Sequence, residues 1–204
     1  MYNYCVFINR RPNEAILKVI QLHHKNNTTL IKRAAKGKRD AQHTLFETHA
    51  PKMLSVCRYY IKDMQNAESV MLKAFFKAFT NLENFKNEGS FEGWLRRIMV
   101  RESISFLRQE KHIEFSVEDE TIHQEHYNNV DSQIEVAQIQ QLIDELPEGY
   151  KMVFVMYAIE GYKHHEIATI LNISQGTSKS QLFKARQMLQ KKIKDINTTS
   201  YGTN

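Results

Sequence analysis

The sequence contains few of the residues that break helices. Its 204 residues include only 7 glycines and 3 prolines, a total of 10, or about 5% where average proteins have roughly 12%. A β-sandwich or barrel needs many tight turns, and these need glycine and proline. The shortage therefore argues against both β architectures and predicts long helices joined by a small number of loops.

Cysteines and long apolar runs are also scarce. Cys5 and Cys57 are the only cysteines, and their spacing matches neither a disulfide framework nor a metal knuckle. The longest apolar run, Met152 to Ile159, is far shorter than the ~20 residues of a membrane-spanning helix. Residues 1–28 lack the apolar segment of a signal peptide. These absences predict a cytoplasmic chain without membrane insertion, bound metal or cofactor.

The charge is unevenly distributed along the chain. The formal net charge is +5, yet residues 174–194 hold six Lys and Arg and no acid, whereas residues 114–132 hold six acids and no Lys or Arg. The acidic stretch has few large apolar residues and no helical period, which is typical of a flexible linker. We therefore predict an all-α protein of two small helical domains, with an N-terminal extension (1–28), a first domain (29–113), an acidic linker (114–131), a second domain (132–196) and a C-terminal tail (197–204).

Two helices of the first domain carry side chains that do not fit a buried stripe. The helix predicted from Asn66, which we expect as its N-cap, has a core stripe ending near Phe79, but Leu72 and Phe76 lie off that stripe. They either pack on a neighbouring helix or on the N-terminal extension, or form an exposed docking patch for a partner protein.

The next predicted helix begins after Ser90, a good N-cap. Phe91 and Trp94 begin an apolar face of this helix. Farther along the helix, the same face carries the polar residues Arg101, Ser105 and Arg108. This change of character indicates either a solvated helix end or contact with a polyanion. Trp94 has two interpretations as well, a core tryptophan or a base-stacking platform.

The most informative pattern lies in the second domain. After a predicted helix from Ser132 to about Glu145 and an apolar one from Lys151 to Ile159, residues 164–171 form a short helix, Asn172 to Ser174 a three-residue turn, and Gln175 to about Ile193 a longer helix. This is the helix-turn-helix pattern, whose second helix enters the major groove of DNA. The outward residues of that helix mix hydrogen-bonding groups for bases with cations for phosphates. They are Gln175, Thr177, Lys179, Ser180, Phe183, Lys184 and Arg186, with an internal packing role left open for Phe183.

The chain resembles the extracytoplasmic-function group of the sigma-70 family of bacterial transcription initiation factors. Three segments carry the resemblance: NAESVMLKAFFKAF (Asn66 to Phe79), FEGWLRRIMVRESISFLRQ (Phe91 to Gln109) and LPEGYKMVFVMYAIEGYKHHEIATILNISQGTSKSQLFKARQML (Leu146 to Leu189). The resemblance implies a factor that binds RNA polymerase core, through its clamp helices and flap, and directs it to promoter DNA. It also makes an anti-sigma factor a candidate partner.

The resemblance also implies roles for particular residues. Lys179, Ser180, Phe183 and Lys184 match the main contact positions for the minus-thirty-five duplex. The loop 84–90 and the helix after it match the part that captures the melted minus-ten strand and a flipped base; the candidate residues are Asn84, Phe85, Lys86, Phe91, Trp94, Arg97, Arg101, Ser105 and Arg108. The helix from Asn66 matches the surface that docks on the polymerase clamp, which favours docking for Ser69, Leu72, Lys73 and Phe76.

Several positions depart from the family pattern. Ser69, Leu72 and Lys73 stand where the family often has Asp, Gln and Glu, and Arg101 and Ser105 stand where it often has Asn and Asp. Ser178 occupies a helix-turn-helix position that is usually β-branched. The family's linker threads through the polymerase cleft, so we hypothesise that the acidic linker mimics nucleic acid there.

Two other classes of function compete with this interpretation. A stand-alone helix-turn-helix regulator would explain the second domain but not the predicted docking helix. An enzyme using the paired histidines His23-His24 or His164-His165 is disfavoured, because adjacent side chains point to different faces of a helix and no acidic or cysteine partner lies at ligand spacing.

Overall fold

In a computed structural model that describes residues 28–86, 88–110 and 136–200, every regular element is a helix. The first domain contains α1 over 28–35, α2 (Arg39–Tyr60), α3 (Met64–Thr80), a short 3₁₀ turn (Leu82–Asn84) and α4 (Phe91–Glu110). Helices α2, α3 and α4 pack against one another in pairs. Their buried faces carry mainly Ala, Val, Leu, Met and Phe, so the core is apolar.

The second domain contains four helices. They are α5 (Val136–Asp144), α6 (Glu148–Phe154), α7 (His164–Leu171) and α8 (Gln175–Ser200), and α6 continues as one π-helical segment, Val155–Ile159. Helix α8 packs on α6 and α7. The predicted all-α architecture with a four-helix, helix-turn-helix second domain is therefore confirmed for the described residues.

Local signals at the helix ends agree with the sequence in three places. The Ser90 hydroxyl accepts the N–H of Gly93 at 3.0 Å, and the Ser174 hydroxyl accepts the N–H of Thr177 at 2.9 Å. Asn172 has φ 56° and ψ 50°, the left-handed conformation that asparagine tolerates. Both serines thus satisfy N–H groups that a helix start leaves without a partner.

Other predicted helix ends were wrong. Helix α3 begins at Met64, and its cap is Asp63, whose carboxylate accepts the N–H of Asn66 at 2.8 Å. Helix α6 begins at Glu148 rather than at Lys151, because Pro147 is a favourable residue just before a helix and Gly149 is tolerated within its first turn. Helix α8 continues beyond Ile193 to Ser200, since no glycine or proline interrupts it.

The two domains contact each other through buried ion pairs. Arg58 of α2 donates two hydrogen bonds to Asp144 of α5, at 3.0 and 2.6 Å. Arg96 of α4 makes a bidentate pair with Glu160, which follows the π-helical segment. The carboxylate side chains are only 6% and 2% exposed, so each depends on its arginine for compensation of its charge.

Some expectations concern residues outside the described ranges. The N-terminal extension up to residue 27, the acidic linker 114–131 and the proposed start at Ser132 all lie there. No helix among the described residues has both the length and the apolar character required to cross a bilayer.

Candidate nucleic-acid interface

The turn between α7 and α8 sets the direction of the longer helix. The backbone reverses at Asn172, and the N–H of Ile173 donates to the carbonyl of Ala168 at 3.0 Å. Ser174 then caps α8, and its hydroxyl also contacts that of Thr177 at 2.9 Å. The result is a short helix and a longer helix joined by a three-residue turn, the geometry of a DNA-reading helix-turn-helix.

Helix α8 has clearly different faces at its N-terminal end. The inner face repeats at spacings of three and four residues and comprises Ser178, Gln181, Leu182 and Ala185, which are at most 5% exposed. On the opposite side, Gln175 and Lys179 are exposed, and Thr177, Ser180, Phe183, Lys184 and Arg186 are partly exposed. The seven residues predicted to face DNA thus share the accessible side of one helix, and Phe183 is only partly buried there.

A second candidate site is a cavity at the start of α4, with a volume of about 250 Å³. Its lining includes Asn84, Phe85, Lys86, Ser90, Trp94 and Arg97. The structure therefore brings together both parts of the predicted minus-ten site, the loop 84–90 and the first turns of α4. The lining also includes the acid Glu88 beside the cations Lys86 and Arg97, and an aromatic wall next to cations is suited to holding an unstacked base beside phosphates.

Three aromatic side chains form the wall and support of this cavity. Phe85 and Trp94 have ring centroids 5.4 Å apart, and Phe91 lies 5.7 Å from Phe85 and 5.8 Å from Trp94. Phe91 is 4% exposed and is not part of the lining, so it supports the wall from behind. Trp94 is half-buried and combines the two roles that the sequence left open, packing on the core and facing the cavity.

The arginines farther along α4 are exposed, and one of them contacts the second domain. Arg97, Arg101 and Arg108 are exposed and Ser105 is partly exposed, and the Arg108 guanidinium donates to the backbone carbonyl of Ile170 in α7 at 2.9 Å. Burial raises the pKa of Tyr162 with Glu160 adding to the effect, while Arg97 and Arg101 oppose it. The second domain therefore lies close to the predicted minus-ten face of α4.

Helix α3 presents a stripe that includes exposed apolar side chains. Ser69, Leu72, Lys73 and Phe76 are all exposed and lie at spacings of three and four residues. Leu72 is 53% and Phe76 is 71% exposed. No described helix covers these two side chains, so the alternatives that remain are packing on the N-terminal extension, which lies outside the described residues, and an exposed interaction surface.

The polar part of this stripe is connected to α4. Lys73 and Lys77 approach the carboxylate of Glu102 at 3.5 and 2.6 Å. Burial raises the pKa of Glu102, but the hydrogen bond and charge of Lys77, together with Lys73, outweigh it and leave the pKa below its ordinary value. Glu102 was missed from the sequence because its partners are defined only by the packing of α3 on α4.

Both helical domains of the chain are similar to known protein families. The model of the sigma-70 region 2 family matches residues 45–113, and that of sigma-70 region 4 matches residues 137–189. The chain is 27% identical to the RNA polymerase sigma-H factor of Pseudomonas aeruginosa over 86% of its own length and 97% of that protein. It is 28% identical to the ECF RNA polymerase sigma factor SigW of Bacillus subtilis, with coverages of 81% and 96%. The fold is similar to that of the sigma factor RpoE of Bartonella quintana, solved with the anti-sigma factor NepR, with a TM-score of 0.50, 19% identity and coverages of 74% and 96%.

Proposed function

This chain belongs to the extracytoplasmic-function group of the sigma-70 family and is a transcription initiation factor, and we propose that its two domains hold a promoter at two places while it is bound to RNA polymerase core. The first domain (29–113) would hold the opened minus-ten strand and dock on the polymerase. The second domain (132–196) would read the minus-thirty-five duplex.

Reading of the duplex is assigned to α8. Lys179 and Gln175 are exposed at its N-terminal end, where the second helix of a helix-turn-helix contacts base edges. Lys184 and Arg186, one to two turns later, are placed for phosphates. The well-packed inner face, with Ala185 at 0% exposure, allows this helix to enter the groove as a rigid unit.

Capture of the melted strand is assigned to the cavity at the start of α4. Its volume of about 250 Å³ and its Phe85–Trp94 wall suit one flipped base. Arg97 lines the cavity and Arg101 follows one turn later, so the adjoining phosphates would meet positive charge. Phe91 would act indirectly by holding the aromatic wall in place.

The exposed stripe on α3 is the observation that carries this proposal over its alternative. A stand-alone helix-turn-helix regulator needs no apolar surface 53% and 71% exposed on its other domain, at Leu72 and Phe76. Docking on the clamp helices of polymerase would cover both side chains. Retention of polymerase core on the immobilised chain distinguishes the two functions, since a stand-alone regulator would not retain it.

The remaining elements follow from the same assignment. The acidic linker (114–131) would occupy the polymerase cleft as a nucleic-acid mimic. The catalytic chemistry would belong to the polymerase, with no cofactor in this chain, and the working place would be the cytoplasm. An anti-sigma factor is a candidate regulator, as in the complex of the RpoE relative with NepR.

The proposed function is tested by run-off transcription. The full chain and core polymerase are supplied with a library of promoter fragments, and the enriched sequences are recovered. Lys179→Ala should lower affinity for a recovered promoter by about 1–3 kcal/mol, roughly 5- to 150-fold. The matched control Lys191→Ala changes an exposed lysine farther along α8 and should leave affinity unchanged. Absence of any promoter-specific transcript, or equal effects of the two variants, would contradict the assignment.

A further inference from the structure

Ser178 is a polar residue in the core of the helix-turn-helix. It belongs to the inner face of α8 and is 0% exposed, at a position where an apolar β-branched side chain is usual. A buried hydroxyl without a hydrogen bond is destabilising, so it needs a local partner. The partner is His164, whose Nδ1 lies 2.9 Å from the Ser178 Oγ.

His164 is itself held between two helical segments. The ring of Tyr157, in the π-helical segment, stacks on it with centroids 4.6 Å apart and an angle of 24° between the planes. The guanidinium of Arg186, two turns after Ser178 on α8, lies 5.7 Å from the centroid of the Tyr157 ring. The four side chains thus link the π-helical segment, the start of α7 and two positions of α8 that lie two turns apart. We call this group the His164 cluster.

The His164 cluster adjoins residues that are proposed to contact DNA. Ser178 is directly between Thr177 and Lys179 in the chain, and Arg186 belongs to both the cluster and the outward face. Because α8 is a rigid helix, holding Ser178 against α7 also fixes the direction in which the Cα–Cβ bond of Lys179 leaves the helix. A contact displaced by about 1 Å loses much of a bidentate hydrogen bond, so this placement matters for base discrimination.

We propose that His164 is a positioning residue for promoter recognition, which holds the start of α8 in its reading orientation through Ser178 and is supported by Tyr157 and Arg186. This proposal rests on the proposed function of the second domain. In the proposed binding mode His164 does not touch DNA. Its role is to set the sequence specificity of the neighbouring residues that do.

The charges around His164 provide a distinctive signature. Burial lowers the pKa of His164, and the positive charges of Lys179 and Arg186 on α8 lower it further. Tyr157 faces it from the π-helical segment, Lys163 precedes it at the cap of α7, and His165 and Glu166 follow it on α7. DNA phosphates near Lys179 and Arg186 would offset their effect and raise the pKa of His164 in the complex. The complex would then bind protons more readily than the free protein, so the affinity for DNA should increase as the pH falls from 8 to 6.

The test measures promoter binding by the full chain with core polymerase, using a duplex recovered by run-off selection and a scrambled duplex of equal length. His164→Ala should weaken binding to the promoter duplex about 10-fold and change binding to the scrambled duplex less than about 2-fold, because orientation affects base contacts more than phosphate contacts. His165→Ala is the matched control: it removes an exposed histidine next in the chain, and we expect wild-type binding. The double variant His164→Phe with Ser178→Val replaces the polar pair by an apolar pair and should recover the promoter affinity at pH 8.

A pH series from 8 to 6 separates positioning from stability alone. The wild type and His165→Ala should share one pH dependence, and the double variant should lose part of it while retaining its thermal stability. An unchanged promoter-to-scrambled affinity ratio in His164→Ala would overturn the proposal. So would a double variant that keeps the full pH dependence of the wild type. If the wild type selects no promoter at all, the proposed function fails first and the positioning role fails with it.

Discussion

Truncation of the exposed apolar pair on α3 should separate polymerase binding from folding. Leu72 and Phe76 are 53% and 71% exposed in the free chain, so replacing both with alanine removes less buried than exposed area and places the best helix former on a helix surface. By area, the buried fractions contribute about 1–2 kcal/mol, partly offset by the better helix propensity of alanine, so the free energy of unfolding should fall by no more than about 1.5 kcal/mol. The double variant should still melt cooperatively.

Binding to core polymerase should change far more. Complete burial of a leucine or phenylalanine contributes about 1.5–3 kcal/mol, and the exposed fractions of these two leave roughly 3 kcal/mol to be gained on docking. Leu72→Ala with Phe76→Ala should thus weaken binding about 100-fold, and aspartate at both positions should abolish it because two carboxylates would be desolvated.

The assay is competition for core polymerase against a labelled wild-type chain. Ile139→Ala is the matched control, since Ile139 is an apolar residue 44% exposed on α5 of the other domain and should compete as the wild type does. Competition by the α3 double alanine variant within twofold of the wild type, with its cooperative melting retained, would refute the assignment of this stripe to polymerase.

Three further predictions concern α4 and its neighbours. Arg97→Ala should reduce promoter opening about 10-fold, measured by permanganate reactivity of unpaired thymines, with duplex binding retained; equal opening would exclude Arg97 from strand capture. Glu160→Gln should weaken the contact between the two domains by roughly 3 kcal/mol, because Arg96 loses its buried partner. X-ray scattering should then show a longer particle. The control Glu145→Gln, at an exposed ion pair, should leave the length of the particle unchanged. The lowered pKa of Glu102 means that its stabilisation is present above the ordinary glutamate pKa of 4.5 and is lost as the pH falls towards the lower folded value. Acid titrations of unfolding should therefore be flatter for Glu102→Gln, while Glu110→Gln, exposed on the same helix, should titrate as the wild type does.

The fold class and the recognition helix were predictable from the sequence because their signals are local. Ser90 and Ser174 cap helices within three residues of themselves, and Asn172 adopts its left-handed backbone at the position where the pattern requires a reversal. The period of buried side chains on α8 likewise involves residues only one or two turns apart. The same local reasoning placed the cap of α3 at Asn66, whereas the structure has Asp63 there, because both residue types cap helices and only the path of the preceding loop decides between them.

For several apolar side chains, the sequence left open whether they are exposed or covered by another part of the protein. Leu72 and Phe76 are off the core stripe of α3 in the sequence, but whether another helix covers them depends on the packing of the whole domain. Trp94 is similar: its position on α4 indicates an inward face, and only the approach of Phe85 from the preceding loop creates a cavity beside it. The assignments of particular residues to DNA or polymerase remain predictions for the experiments above.

By itself, the order of residues determined that this chain is helical, where α4, α7 and α8 begin, and that α8 carries a cationic, hydrogen-bonding face. Those properties arise from interactions within a few residues of each other. Only the tertiary structure decided that Arg96 meets Glu160, 64 residues away, that Glu102 lies beneath two lysines of α3, and that Ser178 finds His164 across a turn. Such pairings depend on how the helices pack in three dimensions, and the burial that makes them energetically important does not exist until the helices have packed.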